Sequence, residues 1–296
     1  MPASTSHPTH PARPTLRPCG PADLPEVLAL VDADRLPGQP RATPELLAEA
    51  SRGRTEADGH WWGAYDEPEV QVAVDSGGAI VGAVACARRT KDGTGLIPWL
   101  HCGEEPVVAD ALLARAAALL PAVPVDAFPF ATALTQGLEG LPAGHRPATH
   151  AALERAGYTG ERLWRYMRAD LPRPRLPRAE GVRVGPARDR GASQRLEVVR
   201  DGRTVAEAVI GHPVQGIGVL WWIEVDAAAR GRGTGRALLG SALHALGGLG
   251  ATQAVLYVDD DEPPGGERDR TAANRLYESA GFAEIDRLWS YALPGA

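Results

Sequence analysis

Hydrophobic and polar residues follow two periods along this chain, and the two periods delimit most of its elements. In Ala22–Ala33, Leu24, Val27, Leu28 and Val31 recur at helical spacing, which predicts an amphipathic helix. The same reasoning predicts, elsewhere in the first half, helices at Pro44–Ser51 (N-capped by Thr43) and Val107–Leu120, and strands at Thr15–Arg17, Val70–Val74, Ala79–Ala87 and Gly95–His101.

The second half repeats much of this order but lacks one feature of the first. The predicted strands are Val182–Val184, Arg195–Val199, Thr204–Ile210, Gly216–Val225, Ala254–Val258 and one at the end of the chain; the predicted helices are Arg236–Leu246 and Thr271–Ala280. No helix pair lies between the first strand and the hairpin of this half, whereas the first half has such a pair there.

The two halves also end alike, which indicates two domains of one fold. Ala148–Met167 and Thr271–Leu293 each read as a helix, an Ala-Gly-aromatic turn and a strand carrying Arg-Leu-Trp. Between the halves, Leu171–Ala179 holds three prolines and has no apolar period, as an extended linker does. We therefore expect a disordered tail (1–14), a first domain (15–170), a linker (171–179) and a second domain (180–296).

Composition narrows the function without specifying it. The 296 residues carry a net charge of -6 and no basic stripe, which argues against nucleic acid. Three cysteines without a CxxC argue against a disulfide framework or a zinc site, so no metal is expected. The chain has no run of about 18 apolar residues, so no membrane span is predicted. The N-terminus lacks the apolar stretch of a signal peptide, so the expected location is cytoplasmic.

One loop carries the clearest chemistry. The segment from Trp221 to Leu243 joins an apolar strand to a helix through Arg-Gly-Arg-Gly-Thr-Gly-Arg at Arg230–Arg236. Glycines let backbone N–H groups converge on a pyrophosphate, and the positive end of the helix adds attraction. A solvated surface turn would look the same in isolation. A Walker loop is excluded because no Gly-Lys-Ser/Thr follows, and the glycine spacing fits a dinucleotide-binding Rossmann loop poorly.

With its surroundings, this loop resembles the acyl-CoA site of the GNAT superfamily. The pattern Arg230-x-x-Gly233-x-Gly235 matches the pyrophosphate loop, Val225 matches the end of the strand that meets pantetheine, and Tyr277 with its flanking helix matches the second signature. The resemblance implies an α/β (α+β) fold of two tandem GNAT-like domains, each a mostly antiparallel sheet flanked by helices. It implies acetyl-CoA as co-substrate, bound by Val225, Arg230, Gly231, Arg232, Gly233, Thr234, Gly235, Arg236 and Asn274.

The chain departs from this pattern in two places. Arg270 stands where the family often has an asparagine, and the segment Asp259–Asp269 is longer than usual. In the first half, Glu104, Val107 and Ala109 stand where the second half has Arg230, Gly233 and Gly235, and Leu153 replaces Tyr277. An acidic loop repels a pyrophosphate, so we expect no CoA binding and no catalysis in the first domain.

The resemblance also implies catalytic roles, each with a simpler structural reading. Tyr277 is the expected acid for the leaving thiolate, or else a tyrosine that only packs under its helix. Glu224 is the expected general base because it is the only ionisable group in the strand Gly216–Val225, or else it is a solvent-facing residue at a strand end. His212 is the reserve base, or else a turn residue. Strict alternation places Trp221 and Trp222 on opposite sheet faces. His101 and Cys102 are expected to be inert packing residues.

The predicted function is acyl transfer from acetyl-CoA to a primary amine of a small molecule or a peptide, by direct attack. The alternative is a non-catalytic acyl-CoA-binding or interaction module of the same fold. The tandem plan is similar to that of mycothiol synthases, which acetylate a cysteinyl-glucosaminyl-inositol, so this activity is a minority alternative. We also expect the first domain to help close the acceptor site of the second. No motif specifies the acceptor or the oligomeric state.

Overall fold

A computed structural model describes residues 13–55, 59–136, 138–187, 193–259, 265 and 269–295. The first half contains strands β1 (Thr15–Pro18), β2 (Glu69–Val74), β3 (Ile80–Arg88), β4 (Gly95–Ile97), β5 (Leu100–His101), β6 (Val125–Ala127), β7 (Leu141–Pro142) and β8 (Thr159–Asp170), and helices α1 (Leu24–Ala33), α2 (Pro44–Ser51), α3 (Gly59–Trp62), α4 (Pro106–Leu119) and α5 (Pro147–Arg155). The expected tail, 1–14, lies outside the described residues except for its last two.

The second half contains strands β9 (Val182–Ala187), β10 (Ser193–Arg200), β11 (Arg203–Gly211), β12 (Ile217–Val225), β13 (Gln253–Asp259) and β14 (Ala283–Leu293), and helices α6 (Thr234–Gly248) and α7 (Thr271–Ser279).

Most predicted elements are present with shifts of a few residues at their ends. Helix α2 has the predicted bounds, and the Thr43 side chain accepts a hydrogen bond from the Leu46 N–H at 3.3 Å, as an N-cap does. The predicted strand Gly95–His101 is divided into β4 and β5, since Pro98, which has no N–H, and Trp99 interrupt it. Strands β6 and β7 and helix α3 were not predicted, because they are too short to show a period.

The fourteen strands of the described residues belong to one mixed, mostly antiparallel sheet that runs through both halves. Its order is β1-β2-β3-β4-β6-β14-β8-β13-β12-β11-β10-β9, with β5 beside β3 and β7 beside β14. Only β4–β6 and β12–β13 pair in parallel among the described strands. The predicted fold class, with helices flanking a mostly antiparallel sheet, is confirmed.

At the centre of the sheet the two halves exchange their last strands. Strand β8, from the first half, pairs with β13, while β14, from the second half, pairs with β6. The exchanged strands also pair with each other, so that Trp164 lies opposite Leu288 and Arg162 opposite Trp289. The two Arg-Leu-Trp repeats thus meet in antiparallel register at a local pseudo-twofold axis.

Two helix-covered cores lie at the two ends of the sheet, and each includes residues of a strand exchanged from the other half. Residues of α4 and α5, such as Leu112 and Leu153, pack on β3 and β6, whereas Leu238 and Tyr277 of α6 and α7 belong to a core with β10–β13. On the sheet face opposite α6, Leu36 of the first half joins a third cluster with residues of β12 and β13. The halves therefore share a sheet and an apolar contact.

The proline-rich segment between the halves packs on the second of them. The Ala179 N–H donates to the Ser241 hydroxyl of α6 at 3.0 Å, and Leu176 contacts the core beneath that helix. A Cβ atom added at Gly240 would overlap the Pro177 carbonyl oxygen. The absence of a side chain at Gly240 thus lets the segment lie directly on α6.

Candidate active site

A groove opens between β12 and β13 where these parallel strands stop pairing. Their ladder consists of Ile217–Gln253, Gly218–Ala254 and Val219–Val255, although β12 continues to Val225 and β13 continues to Asp259. Beyond Val219, β12 pairs only with β11 on its other side. The backbone groups of β12 that face the groove therefore lack ladder partners, and a ligand can hydrogen bond with them.

The glycine-rich loop leads from the end of β12 to the first turn of α6. Gly231 (φ 72°) and Gly233 (φ 77°) have left-handed backbones, which glycine adopts at no steric cost. No side-chain hydrogen bond caps α6 among the described residues, so the N–H groups of its first turn point outward without partners. This arrangement is suited to an anion such as a phosphate.

Close packing joins this loop to α7. A Cβ atom added at Gly235 would lie 3.3 Å from Val225 Cγ2 and 3.7 Å from Leu276 Cδ2. Arg236 Nη1 donates to the Ser279 hydroxyl at 2.8 Å, which ties the first turn of α6 to α7. The end of β12, the glycine loop and the helix that carries the second sequence signature thus meet in one place.

Four arginines surround the loop, and the sequence had indicated three of them. Arg230 Nε donates to the Val225 carbonyl at 3.0 Å, while Arg232 and Arg236 are exposed. The fourth is Arg200, at the end of β10, whose Nη2 lies 3.4 Å from Thr234 Oγ1 at the start of α6. Only the pairing of β10 with β11 and β12 brings Arg200 here, so no local motif could have identified it.

Tyr277 lies on the buried face of α7, beside the same junction. Its side chain is 7% exposed and packs edge-on against Phe282, with ring centroids 6.1 Å apart. Burial raises the pKa of Tyr277 to about 12, despite the opposing effect of the Arg270 charge. The phenol therefore keeps its proton at neutral pH, as a general acid must.

Two further groups on α7 bear on the groove. Asn274 Oδ1 is buried without a hydrogen-bond partner among the described residues, so this carbonyl is an acceptor that a ligand N–H could satisfy. Arg270, just before the helix, forms an ion pair of 2.8 Å with Asp259 at the end of β13. The residue that departs from the family pattern is thus held against the neighbouring strand.

Glu224 is exposed near the end of β12, directly opposite Glu207 of β11. Glu207 pairs with Arg195 at 2.8 Å, which offsets the negative charge beside Glu224. Ile223 and Val225 on either side of Glu224 pack into the core beneath α6. The carboxylate of Glu224 therefore points to the opposite face of the sheet.

The geometry of β12 also bears on the other residues named from the sequence. The register with β11 shifts near Val209 and Ile210, leaving Trp221 as an extra residue on β12. Strict alternation thus does not apply to Trp221 and Trp222. His212 lies beyond the end of β11 that faces the start of β12, at the opposite end of the strand from Val225. Its position argues against a role as reserve base at Val225.

The corresponding loop of the first half is closed by its own side chains. Glu104 has a left-handed backbone (φ 58°), and its carboxylate accepts from Arg146 Nε at 2.6 Å and from the Ala148 N–H at 2.7 Å. Leu153, at the position of Tyr277, is fully buried in the apolar core. The Glu104 carboxylate is thus bound by groups of the first half, and the absence of CoA binding there stays a prediction.

Loops of the first half lie over the second-half sheet on the face opposite α6. The Arg41 N–H donates to Gln215 Oε1 at 2.9 Å, and Gln136 Nε2 donates to the Ile217 carbonyl at 3.1 Å. Near the groove, the Tyr257 hydroxyl donates to Glu139 Oε1 at 2.8 Å. The first half thus contributes a wall to the side of the sheet where Glu224 points.

Comparison with known proteins agrees with this geometry. A family model described as an acetyltransferase (GNAT) domain matches residues 193–284. Mycothiol acetyltransferase of Geodermatophilus obscurus is 28% identical over 200 residues, covering 49% of this chain and 61% of that protein. Mycothiol acetyltransferase of Mycobacteroides abscessus is 44% identical over 68 residues, covering 23% of this chain and 20% of that protein. The matches thus span between a fifth and three fifths of these relatives.

Solved structures extend the likeness in fold to nearly the whole chain. A tandem GNAT protein from the clavulanic acid biosynthesis pathway aligns with a TM-score of 0.64 at 16% identity, covering 94% of this chain and 98% of that one. A GCN5-related N-acetyltransferase from Sphaerobacter thermophilus aligns with a TM-score of 0.58 at 18% identity, covering 97% and 98%. No helix of the described residues is long and apolar enough to span a membrane.

Proposed function

We propose that this protein, a tandem GNAT chain whose second half carries the acetyltransferase domain, moves an acetyl group from acetyl-CoA to a primary amine of a small molecule. The observation that carries the proposal is the junction at Gly235. There the groove edge of β12, the uncapped start of α6 and the helix of Tyr277 lie in direct contact. One acetyl-CoA molecule could therefore span from an anion site to a proton donor.

In this proposal the loop holds the pyrophosphate. The N–H groups from Gly231 to Gly235 donate to its oxygens, and Arg200, Arg232 and Arg236 supply positive charge. The pantetheine lies along the unpaired edge of β12, where its amides complete the strand's hydrogen bonds. The buried Asn274 carbonyl accepts from one of those amide N–H groups.

The reaction then needs only groups near the end of the groove. The acceptor amine attacks the thioester carbonyl, and the backbone N–H near Val225 stabilises the resulting oxyanion. This attack forms the C–N bond. Collapse of the oxyanion re-forms the carbonyl and breaks the C–S bond, and Tyr277 gives its proton to the departing thiolate. Glu224 removes a proton from the amine, directly or through water.

The acceptor enters from the face opposite α6, where the first half forms a wall. Trp164, Trp221 and Tyr257 line up on this face, with Trp164 and Tyr257 centroids 5.1 Å apart and Trp221 and Tyr257 centroids 6.4 Å apart. Aromatic faces beside the Glu139 carboxylate suit an amine-bearing acceptor. Because the relatives above are named mycothiol acetyltransferases, mycothiol lacking its acetyl group is the first acceptor to assay.

The decisive experiment is an acetyl-CoA titration by calorimetry with two matched glycine variants. Gly233 and Gly103 both have left-handed backbones, and an added Cβ at either would meet no atom within 4 Å. Gly233→Glu places a carboxylate at the proposed pyrophosphate site, while Gly103→Glu places one at the corresponding loop of the first half. We expect one site in the wild type, lost in Gly233→Glu and unchanged in Gly103→Glu.

Two other outcomes would each change the assignment. Loss of binding in Gly103→Glu alone would move the CoA site to the first half. Binding without release of free thiol, with mycothiol's unacetylated form or with a panel of amines, would favour a non-catalytic acyl-CoA-binding module instead.

A further inference from the structure

A cavity that opens to solvent lies in the first half of the chain, and its empty space, counted together with the solvent at its mouth, is about 640 Å³. It is bounded by the end of α1, the turn between β4 and β5, and the segment that follows β6. Its walls are largely apolar, formed by residues such as Leu36, Trp99, Phe128, Phe130 and Leu134. Every residue that lines it belongs to the first half.

One end of this cavity is charged and buried. Asp34 Oδ2 lies 3.1 Å from His101 Nδ1 and 3.1 Å from Arg146 Nη2, and it also accepts from the Cys102 N–H at 3.2 Å. Burial opposes ionisation of Asp34, but the His101 hydrogen bond and the nearby charges outweigh it and hold the Asp34 pKa below its usual value. Asp34 is therefore an anion at neutral pH.

The state of His101 follows from the same contacts. Burial lowers the pKa of His101 despite the favourable hydrogen bond to Asp34, so the ring is neutral at pH 7. Because Asp34 can only accept, the single ring proton lies on Nδ1, and Nε2 is left as an acceptor. His101 is thus an oriented polar group rather than the inert packing residue expected from the sequence.

Two more polar groups of the lining have no partner among the described residues. Gln39, 3% exposed, donates from Nε2 to the Gln136 carbonyl at 3.2 Å and to the Tyr166 hydroxyl at 2.5 Å, yet its Oε1 is buried and unpaired. The indole N–H of Trp99 is likewise buried and unpaired. Such groups are costly unless an occupant of the cavity satisfies them.

We propose that this cavity binds a primary amine in its ammonium form, attached to a compact apolar body. Asp34, His101 Nε2 and Gln39 Oε1 are acceptors in the lining, and they equal in number the three N–H donors of an ammonium group. Arg146 compensates only part of the charge at this end, because the buried cluster of Asp34, Glu104 and Arg146 holds two carboxylates and one guanidinium. Its net negative charge favours a cation over a neutral group, and the aromatic walls accommodate the body of the ligand. This site does not depend on acetyl transfer in the second half.

The test uses the full chain without acetyl-CoA, with 2-phenylethylamine as probe and 2-phenylethanol as its neutral counterpart. Calorimetry should show the amine binding at least tenfold more tightly than the alcohol. Asp34→Asn should weaken amine binding at least tenfold. Asp110→Asn, the same change at an exposed carboxylate of α4, should leave it unchanged.

A second variant guards against a folding defect in Asp34→Asn. Leu134→Phe fills the cavity without removing a polar group, and thermal melting shows whether it folds. Leu134→Phe should abolish binding of the amine. If the acceptor site of the second half also binds the amine, the variant should bind one amine per chain where the wild type binds two. Equal affinity for amine and alcohol, amine binding that survives both variants, or no binding at all would overturn the proposal.

Discussion

The two halves build the same strand–loop–helix junction in opposite electrostatic forms. In the second half, α6 begins at Thr234 with unpartnered N–H groups and exposed arginines around them. In the first half, α4 begins with Pro106, which has no N–H, and Glu104, two residues earlier, is held by Arg146 and the start of α5. The junction of the second half presents hydrogen-bond donors to solvent, whereas that of the first half pairs its charged groups within the protein.

This difference is consistent with the proposed division of tasks between the two halves. A loop that binds an anion must leave its donors unpaired, which costs stability in the free protein. Once a copy no longer binds that anion, the same positions can form buried ion pairs instead. The first half has such a cluster in Asp34, Glu104 and Arg146, whereas the second half keeps the arginines of its loop exposed.

The largest effect should come from truncating one charged side chain in each of these two loops. Glu104→Ala removes a carboxylate from the nearly buried Arg146 and a cap from α5, so we expect a loss of about 3–5 kcal/mol in the free energy of unfolding. Arg230→Ala, at the matching exposed position, should change it by less than about 0.5 kcal/mol. Urea denaturation of both variants measures the contrast.

The contrast would fail in an informative way if Glu104→Ala cost under about 1 kcal/mol. Asp34 alone would then suffice to compensate Arg146, and the first-half loop would be less committed to structure than its contacts indicate.

The next prediction concerns Tyr277, whose corresponding position in the first half is occupied by Leu153. Tyr277→Phe removes only the hydroxyl, so kcat should fall about 100-fold while the melting temperature stays close to that of the wild type. Because the pKa of Tyr277 is raised to about 12, the phenol is protonated throughout pH 6–9, and the deficit should be constant over that range. Steady-state thiol release at several pH values tests this.

A loss that varied tenfold between pH 6 and pH 9 would assign the titration to another group. An unchanged kcat would leave Tyr277 as a packing residue, like Leu153, and the halves would then differ only in their loops.

A smaller effect should distinguish the two loop helices. Gly240→Ala forces the linker away from α6, because the new Cβ overlaps the Pro177 carbonyl oxygen, and should cost about 1–3 kcal/mol. The counterpart on α4 is Ala114, an exposed alanine, and Ala114→Gly should cost about 1 kcal/mol from helix propensity alone. Denaturant midpoints of the two variants are the measurement.

If Gly240→Ala instead stabilised the protein, as alanine does at an open helical position, the linker would not be held on α6. The halves would then be joined only by their exchanged strands and the contacts across the sheet.

Local patterns in the sequence were sufficient for most elements but not for their partners. The period of α2 and its Thr43 cap are written in neighbouring residues, and so are the glycines of the α6 loop. The exchange of β8 and β14 is not written in neighbouring residues, because two strands with the same Arg-Leu-Trp repeat can each take either central place in the sheet. Only the strand pairing of the whole sheet shows which place each of the two strands takes.

The same limit applies to the site. Tyr277, Val225 and the loop arginines lie within recognisable signatures, and their roles stay predictions. Arg200 reaches Thr234 across 34 residues of chain, and His101 meets Asp34 across 67. Side chains that meet through tertiary contact leave no spacing to detect, which is why His101 was expected to be inert.

The smallest effect should come from Arg200, a cation beside the glycine-rich loop of the second half. The first half has no such loop. Arg200→Gln keeps a hydrogen-bonding side chain near Thr234 but removes a charge at the rim of the proposed pyrophosphate site. Since a partly exposed charge contributes about 0.5–1 kcal/mol, the KM for acetyl-CoA should rise about two- to fivefold with kcat unchanged. The increase should shrink in 0.5 M salt, where exposed charges are screened. Arg183→Gln, on edge strand β9, removes the same charge away from the loop and should leave KM unchanged. An equal rise in both variants would mean that Arg200 acts through the overall charge of the second half rather than at the start of α6.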